Sequence, residues 1–532
     1  MFSRSFLPAT VLFYLSQFLF IGSLSAQRPI VPDTATAGQL RVDEVMRLID
    51  GNYTEAPDMD KLSTEAINAM LKALDPHSVY IAAKDVERAN ESLQGNFEGV
   101  GISFQIVNDT VVVQSVIDGG PSQKVGVEIG DKLIRVDGIQ ATGDSASNKF
   151  VYSHLRGKKG TEVVVDLMRD GTVYTFHIVR DKIPIYSIDT YFMADDSIGY
   201  VRLTRFARTS GDEFRKALHS LKKQGMTALV LDLRGNTGGY LDIACQLANE
   251  FLKRGQLIVY QEGRRTQRQN FHANGRGNFT SGRLVVLIDE GSASASEIVS
   301  GAVQDWDRGT LVGRRSFGKG LVQRMMPLSD GGQIRLTTAR YFTPSGRCIQ
   351  RPYDEGNEAY RNDVNDRYRH GELVNADSIH FPDSLKFRTS KGRIVYGGGG
   401  IMPDVFVPMD TMRLSDYCIS LRGKGLLNSF PLNWANAHRR DREVRDFDAF
   451  LLNYDSFGLD SLLAVEGLEK GVVRDTAKEA AEPGRTAHSD RYMRLLLKAQ
   501  VARNLFGIEY YYKVMKEIDD GYQRAVEELR KR

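Results

Sequence analysis

The sequence predicts a multidomain protein of mixed α+β and α/β class, with an α/β core after a small β-rich domain and helical regions at the N- and C-terminal sides. Three observations predict it. The chain has 532 residues, more than one hydrophobic core organises, which favours about three or four domains. The apolar period changes from helical to strand spacing at Gly95, and from Ile198 strands and helices alternate. Apolar residues make up 42% and charged residues 26%, the balance of a packed globular chain and not of a disordered, collagen-like or multi-spanning one.

Residues 1–26 hold one charge, Arg4, then the apolar run Val11–Ile21 and the small-residue stretch Gly22 to Ala26. That order is a secretory signal peptide's, with cleavage near Ala26, and the run is short for a membrane span. An uncleaved signal anchor stays open, because Leu24 is an imperfect residue near a cleavage site. In either case the body is expected to be exported, periplasmic or otherwise extracytoplasmic, and membrane-associated if the signal stays on.

Over 27–93, helical spacing recurs in Leu40, Val42, Val45, Met46 and Ile49, and in Leu62, Ile67, Met70, Leu71 and Leu74, until Asp75-Pro76 stops it. This stretch reads as a small helical domain. Over 94–182, the runs Val100–Ile106, Val111–Val116, Lys132–Val136, Val163–Met168 and Val173–Val179 are parted by Gly, Asp and Asn turns, a β-rich domain.

The core is expected over 183–410. Ser210 and Glu213 have capping-box spacing ahead of Phe214, Leu218 and Leu221; a strand at Ala228–Leu233, a Gly-rich turn and a helix at Leu241–Leu252 follow, then a strand at Leu284–Ile288 and a helix from about Ser294. Residues 352–400 are polar and read as an insertion, and 411–532 reads as mainly helical.

Lys and Arg number 70 against 67 Asp and Glu, a net charge of +3, without the single-sign excess of a nucleic-acid or anionic-membrane binder. Cys245, Cys348 and Cys418 imply no disulfide framework, and Cys348 reads as a free, buried thiol. No histidine set has H-E-x-x-H spacing and no cysteine pair has zinc spacing, so neither metal nor cofactor is expected.

Three stretches carry chemistry: Asp232-Leu-Arg-Gly-Asn-Thr-Gly-Gly239, Gly291-Ser-Ala-Ser-Ala-Ser-Glu297 and Ser316-Phe-Gly-Lys-Gly-Leu-Val-Gln323. The second places serines between a buried strand and a helix start, where unpaired N–H groups can face an oxyanion. A capping box of Ser294 and Glu297 is the plainer reading of those residues alone. In the third, Gly318 and Gly320 leave Lys319 with little polar cover, so burial can strip its proton and make it a general base. The glycines of the first can present a backbone N–H to a developing oxyanion; they do not follow the dinucleotide pattern G-x-G-x-x-G. Ser316-Phe-Gly-Lys319 also matches S-x-x-K, a penicillin-binding-type signature, although two glycines oppose the helix it needs and no K-T-G follows.

On these blocks, in this order, the sequence resembles the carboxyl-terminal processing, or tail-specific, proteases of the Ser/Lys type, from roughly residue 40 to 410. The resemblance implies a crotonase-like α/β protease core. It also implies a serine nucleophile at Ser294, a general base at Lys319, and Gln323 as the residue that orients that lysine. The oxyanion donors it implies are the N–H of Ala295 and of Gly239 or Gly238. Ser292 and Ser296 are read as helix-start and packing serines, and Arg234 and Asn236 as shaping the turn. Gly99-Val-Gly-Ile-Ser-Phe104 and Gly130-Asp-Lys-Leu-Ile-Arg-Val-Asp-Gly138 resemble a PDZ domain, with Val100, Gly101 and Ile102 as its carboxylate loop.

The implied activity is serine endopeptidase action on proteins with unstructured apolar carboxyl termini, without a cofactor. A non-catalytic PDZ scaffold and an acyl enzyme using Ser316 are the rival readings. An adaptor protein and a homo-oligomer stay open, because 352–400 and 411–532 lie outside the motifs.

Overall fold

The computed structural model describes residues 36–531, so the signal peptide expected at 1–26 lies outside the described residues. The chain forms two compact units, up to Ile67 and from Asn68 onward. In the first, the helix Ala37–Asn52 starts on a capping box in which Thr36 and Gln39 satisfy each other's backbone N–H.

The second unit is built on a six-stranded sheet ordered Ile188–Met193, Ile198–Leu203, Ala228–Asp232, Arg283–Ile288, Thr310–Gly313 and Val405–Phe406. The first pair is antiparallel and the rest are parallel. Both faces are covered, which is why the central strands Ala228–Asp232 and Arg283–Ile288 are apolar at all but one end position each. Leu229, Leu231, Val286 and Ile288 pack with the helices Ser210–Lys223, Leu241–Asn249 and Ala295–Asp305. Val230, Val285 and Leu287 face the other way, onto Tyr522, Ala525, Val526 and Leu529 of the helix Asp520–Arg530.

A second sheet joins Val79–Ile81 to Gln333–Phe342, which pairs with Leu257–Gly263 and with Leu321–Pro327. The stretch 27–93 is therefore not helical throughout: past Asp75 the chain turns extended and enters this sheet. A three-residue strand is too short to show a period in sequence. The capping box expected at Ser210 is not made either. Glu213 Oε2 accepts the N–H groups of Ser187 and Ile188, and Ser210 Oγ accepts that of Ala207.

The β-rich segment is a sheet ordered Ile102–Val107, Thr110–Val116, Lys132–Val136, Glu162–Arg169 and Thr172–Val179. It stands on an antiparallel two-stranded stalk, Asn96–Gly99 with Asp181–Pro184. At its base Ile185 N–H donates to Gly95 O at 2.8 Å, so the segment leaves the core and returns at one point. From Asp416 the chain is helical, with a core that includes Leu421, Phe430, Trp434, Phe450 and Leu497. Among the described residues, no helix is long and apolar enough to cross a membrane.

Candidate active site

The strand Arg283–Ile288 is buried along its length after Arg283, and the chain leaves it through small residues into the helix Ala295–Asp305. Ser294 caps that helix with φ 56° and ψ −111°, a backbone conformation that non-glycine residues hold only when their surroundings impose it. Those surroundings are visible. Ser294 N–H donates to Glu297 Oε2 at 2.9 Å, and the Tyr341 hydroxyl lies 3.0 Å from Ser294 O and 2.6 Å from Lys319 O.

Glu297 is the junction of the site. Fully buried, it accepts the Ser316 hydroxyl at 2.5 Å and Gly318 N–H at 2.7 Å on Oε1, and the N–H groups of Lys319 and Ser294, each at 2.9 Å, on Oε2. Burial raises its pKa while these donors oppose the shift. One carboxylate thus ties the serine's helix start to the lysine's loop. The capping-box reading accounts for one of its four bonds. Gly318 has φ 88°, and a Cβ there would lie 3.0 Å from Gly400 N, so this loop packs closer than another residue allows.

Lys319 is half-buried, and its Nζ donates to Gln323 Oε1 at 2.9 Å; Gln323 Nε2 donates at 2.6 Å to the carbonyl of His77. Burial, with the Arg335 cation nearby, lowers the Lys319 pKa from 10.5 to about 8 against the opposing charges of Asp75 and Glu297. Burial also lowers His77 to about 4, leaving a neutral ring 2.8 Å from the Tyr360 hydroxyl. Among the described residues no hydrogen bond joins Ser294 Oγ to Lys319 Nζ.

The Gly-rich turn is fastened to the same helix start. Ser292 Oγ donates to Leu233 O and Ser296 Oγ to Asn236 O, both at 2.8 Å, and Asn236 Nδ2 donates to Leu203 O. Arg234 pairs with Asp232 and Asp519. Gly238 has φ 103°, and a Cβ on it would meet Ser294 Cβ at 2.8 Å, so only glycine lets the turn come this close. Its N–H is committed to Asn236 Oδ1 at 2.9 Å. Gly239 and Ala295 keep N–H groups without an acceptor among the described residues.

Ser294, Ala295, Gly238, Gly239, Lys319 and Gln323 line one cleft of about 670 Å³. Ser316, the alternative serine, is fully buried in a loop, where it donates to Glu297 and accepts Ile401 N–H at 2.6 Å. Cys348 is free but only half-buried, between the fully buried Arg347 and Ile349.

The carboxylate-loop candidates sit at the start of an edge strand. Val100 O accepts the N–H and the hydroxyl of Ser122, Gly101 has φ 81°, and Ile102 opens the strand Ile102–Val107. Phe104 of that strand meets Tyr152 of the helix Asn148–Leu155 edge to face at 5.8 Å. Sequence reasoning missed Glu297 as a junction, Tyr341 as a clamp and His77 as Gln323's acceptor. The one available signal was Asp75-Pro-His-Ser78, whose Asp75 carboxylate accepts the N–H groups of His77 and Ser78.

A model of peptidase family S41 matches residues 197–355, and a PDZ domain model matches 99–179. A carboxy-terminal-processing protease of Bartonella bacilliformis is 37% identical over 317 residues, covering 58% of this chain and 72% of that one. A probable CtpA-like serine protease of Staphylococcus aureus is 31% identical over 318 residues, 59% of this chain and 63%, just under two thirds, of the relative. Among solved structures, a photosystem II D1 C-terminal processing protease is 27% identical over 71% of this chain and 95% of its own, with a TM-score of 0.37. With that family match across the cleft and a PDZ domain before it, the chain belongs to the carboxy-terminal-processing proteases of peptidase family S41 and is a serine-type peptidase.

Proposed function

We propose that this peptidase is exported, captures apolar, unstructured carboxyl termini on its PDZ domain and cleaves upstream of them by an acyl-enzyme route. Ser294 Oγ attacks the scissile carbonyl as its proton passes to the neutral Lys319 Nζ. The N–H groups of Ala295 and Gly239 receive the oxyanion. Lys319 returns the proton to the leaving amine, then takes one from the water that attacks the acyl ester and passes it to Ser294 Oγ as the ester bond breaks and the acid product leaves.

One observation carries this reading. A strained serine, a lysine lowered to about 8 and two acceptor-free N–H groups line one cleft. The repeated strand, turn and helix units around that cleft are what support a crotonase-like core.

Lys319 is spent on Gln323, and the helix Ala83–Gln94, whose Ala89 and Leu93 line the cleft, runs straight into the PDZ stalk. On those grounds we read PDZ occupancy as aligning Lys319 with Ser294. The test of the chemistry is direct: Ser294→Ala and Lys319→Ala chains should fold and fail to cleave a peptide with an apolar terminus that the parent cleaves. Activity surviving in either variant would reject the dyad.

A further inference from the structure

The cleft carries a cation whose side chain has no partner among the described residues. Arg335 stands on the strand Gln333–Phe342 and lines the cleft with Ser294, Lys319 and Met325. The other cations of the cleft wall are spoken for. Arg208 pairs with Asp242 and lies 3.8 Å from the centre of the Tyr240 ring, and Lys319 Nζ donates to Gln323. The Arg335 side chain makes no hydrogen bond or ion pair among the described residues, and its Nε is buried without an acceptor. No aspartate or glutamate is among the residues lining the cleft.

The Nε so placed gives up hydration and receives nothing from its own chain, while the partly exposed end of the guanidinium faces the cleft, an arrangement that suits a site whose ligand brings the acceptor. Its planar fork matches a carboxylate with two parallel bonds. A polypeptide in the cleft offers carboxylates as acidic side chains and as its own terminus. We propose that Arg335 is a specificity-determining residue that receives a carboxylate of the substrate beside the scissile bond. The proposal rests on the cleft being the proteolytic site, and it adds a second requirement to the apolar terminus expected at the PDZ domain.

The experiment uses the full chain and three quenched fluorescent peptides. The first has an acidic residue near the cleavage point and a free terminus; in the second the acid is Gln or Asn; in the third the terminus is amidated. Measured at a pH where Lys319 is neutral, kcat/KM should fall about tenfold or more when the relevant carboxylate is removed. Arg335→Met should level the acidic peptide with its Gln or Asn counterpart to within about twofold, or shrink the effect of amidation to what the PDZ loop alone costs, and Arg335→Lys, which keeps the charge without the fork, should retain part of the preference.

A fall with the Gln or Asn peptide assigns the side chain as the ligand, and a fall with the amide that Arg335→Met lessens assigns the terminus, whereas a fall with the amide that Arg335→Met leaves unchanged belongs to the PDZ carboxylate loop and counts against Arg335. Equal cleavage of all three peptides by the parent chain, or an unchanged preference in either variant, would overturn the role of Arg335 while leaving the protease reading intact. Cleavage of none of the three would overturn both. If Arg335→Met fails to fold, the parent series and Arg335→Lys still decide.

Discussion

Lys319 Nζ donates to Gln323 Oε1 at 2.9 Å, and the same Gln323 donates at 2.6 Å to the His77 carbonyl, so the amine is aimed by a side chain that is itself tethered at both ends. Gln323→Ala releases it. We expect kcat to fall about 10- to 100-fold with KM little changed, because orientation and not substrate contact is lost. Gln323→Glu sets a carboxylate against the ammonium, favours the charged form and should move the acid limb of kcat/KM above about 8. An unmoved limb would remove Gln323 from this role.

The lysine itself sets the pH dependence. If Lys319 is the base proposed above, its neutral Nζ is the working form, so the rate should rise with pH through about 8 and level off above it. A profile flat from neutral to alkaline pH would exclude a lysine base.

The same lowered pKa costs stability. Lys319 binds its proton more weakly in the folded chain, at about 8, than at the ordinary 10.5, so the folded state is penalised below about 8 and recovers as pH rises from there to 10.5. The penalty is on the order of 3 kcal/mol. Lys319→Met should therefore be inactive yet melt a few degrees higher at neutral pH, with the gain shrinking at high pH. Calorimetry at two pH values checks both signs.

The Glu297 carboxylate bonds neither Ser294 Oγ nor Lys319 Nζ, yet its four accepted bonds hold both loops. Glu297→Gln turns one acceptor oxygen into a donor facing donors. Stability should fall by about 2 to 4 kcal/mol and activity with it. A folded variant of parental stability and rate would show that the junction is dispensable.

What the sequence made legible follows from how local each feature is. Ser294 and Lys319 stand in short blocks whose neighbours are their own environment, so motif and chemistry could be read together, whereas Gln323 entered through the resemblance alone. Glu297 was legible only as a capping residue, because its further donors lie 19 to 22 positions away. The His77 carbonyl that holds Gln323 is 246 positions distant. Gly239 could be ranked over Gly238 on a physical ground only once the Gly238 N–H was seen to be taken by Asn236. Arg335 gives no signal in its strand, where a charged residue between apolar ones looks like ordinary alternation. The PDZ strands, by contrast, announce themselves by period, since each turn between them needs Gly, Asp or Asn.

The stalk permits a direct test of the PDZ domain's part. Gly95 and Ile185 are hydrogen-bonded across its base at 2.8 Å, so residues 96–184 can be replaced by a short Gly-Ser link without pulling the core apart. If PDZ occupancy aligns Lys319, the shortened chain should lose the preference for apolar carboxyl termini and turn over all peptides at one changed rate. The helix Ala83–Gln94 is the expected carrier of the coupling, because Ala89 and Leu93 line the cleft and Arg208 N–H donates to Leu93 O at 3.0 Å. Enlarging Ala89 to Leu in the full chain should then change the difference in rate between peptides with and without an apolar terminus. If both rate and substrate choice survive the deletion unchanged, the PDZ domain neither selects nor gates, and the cleft alone accounts for specificity.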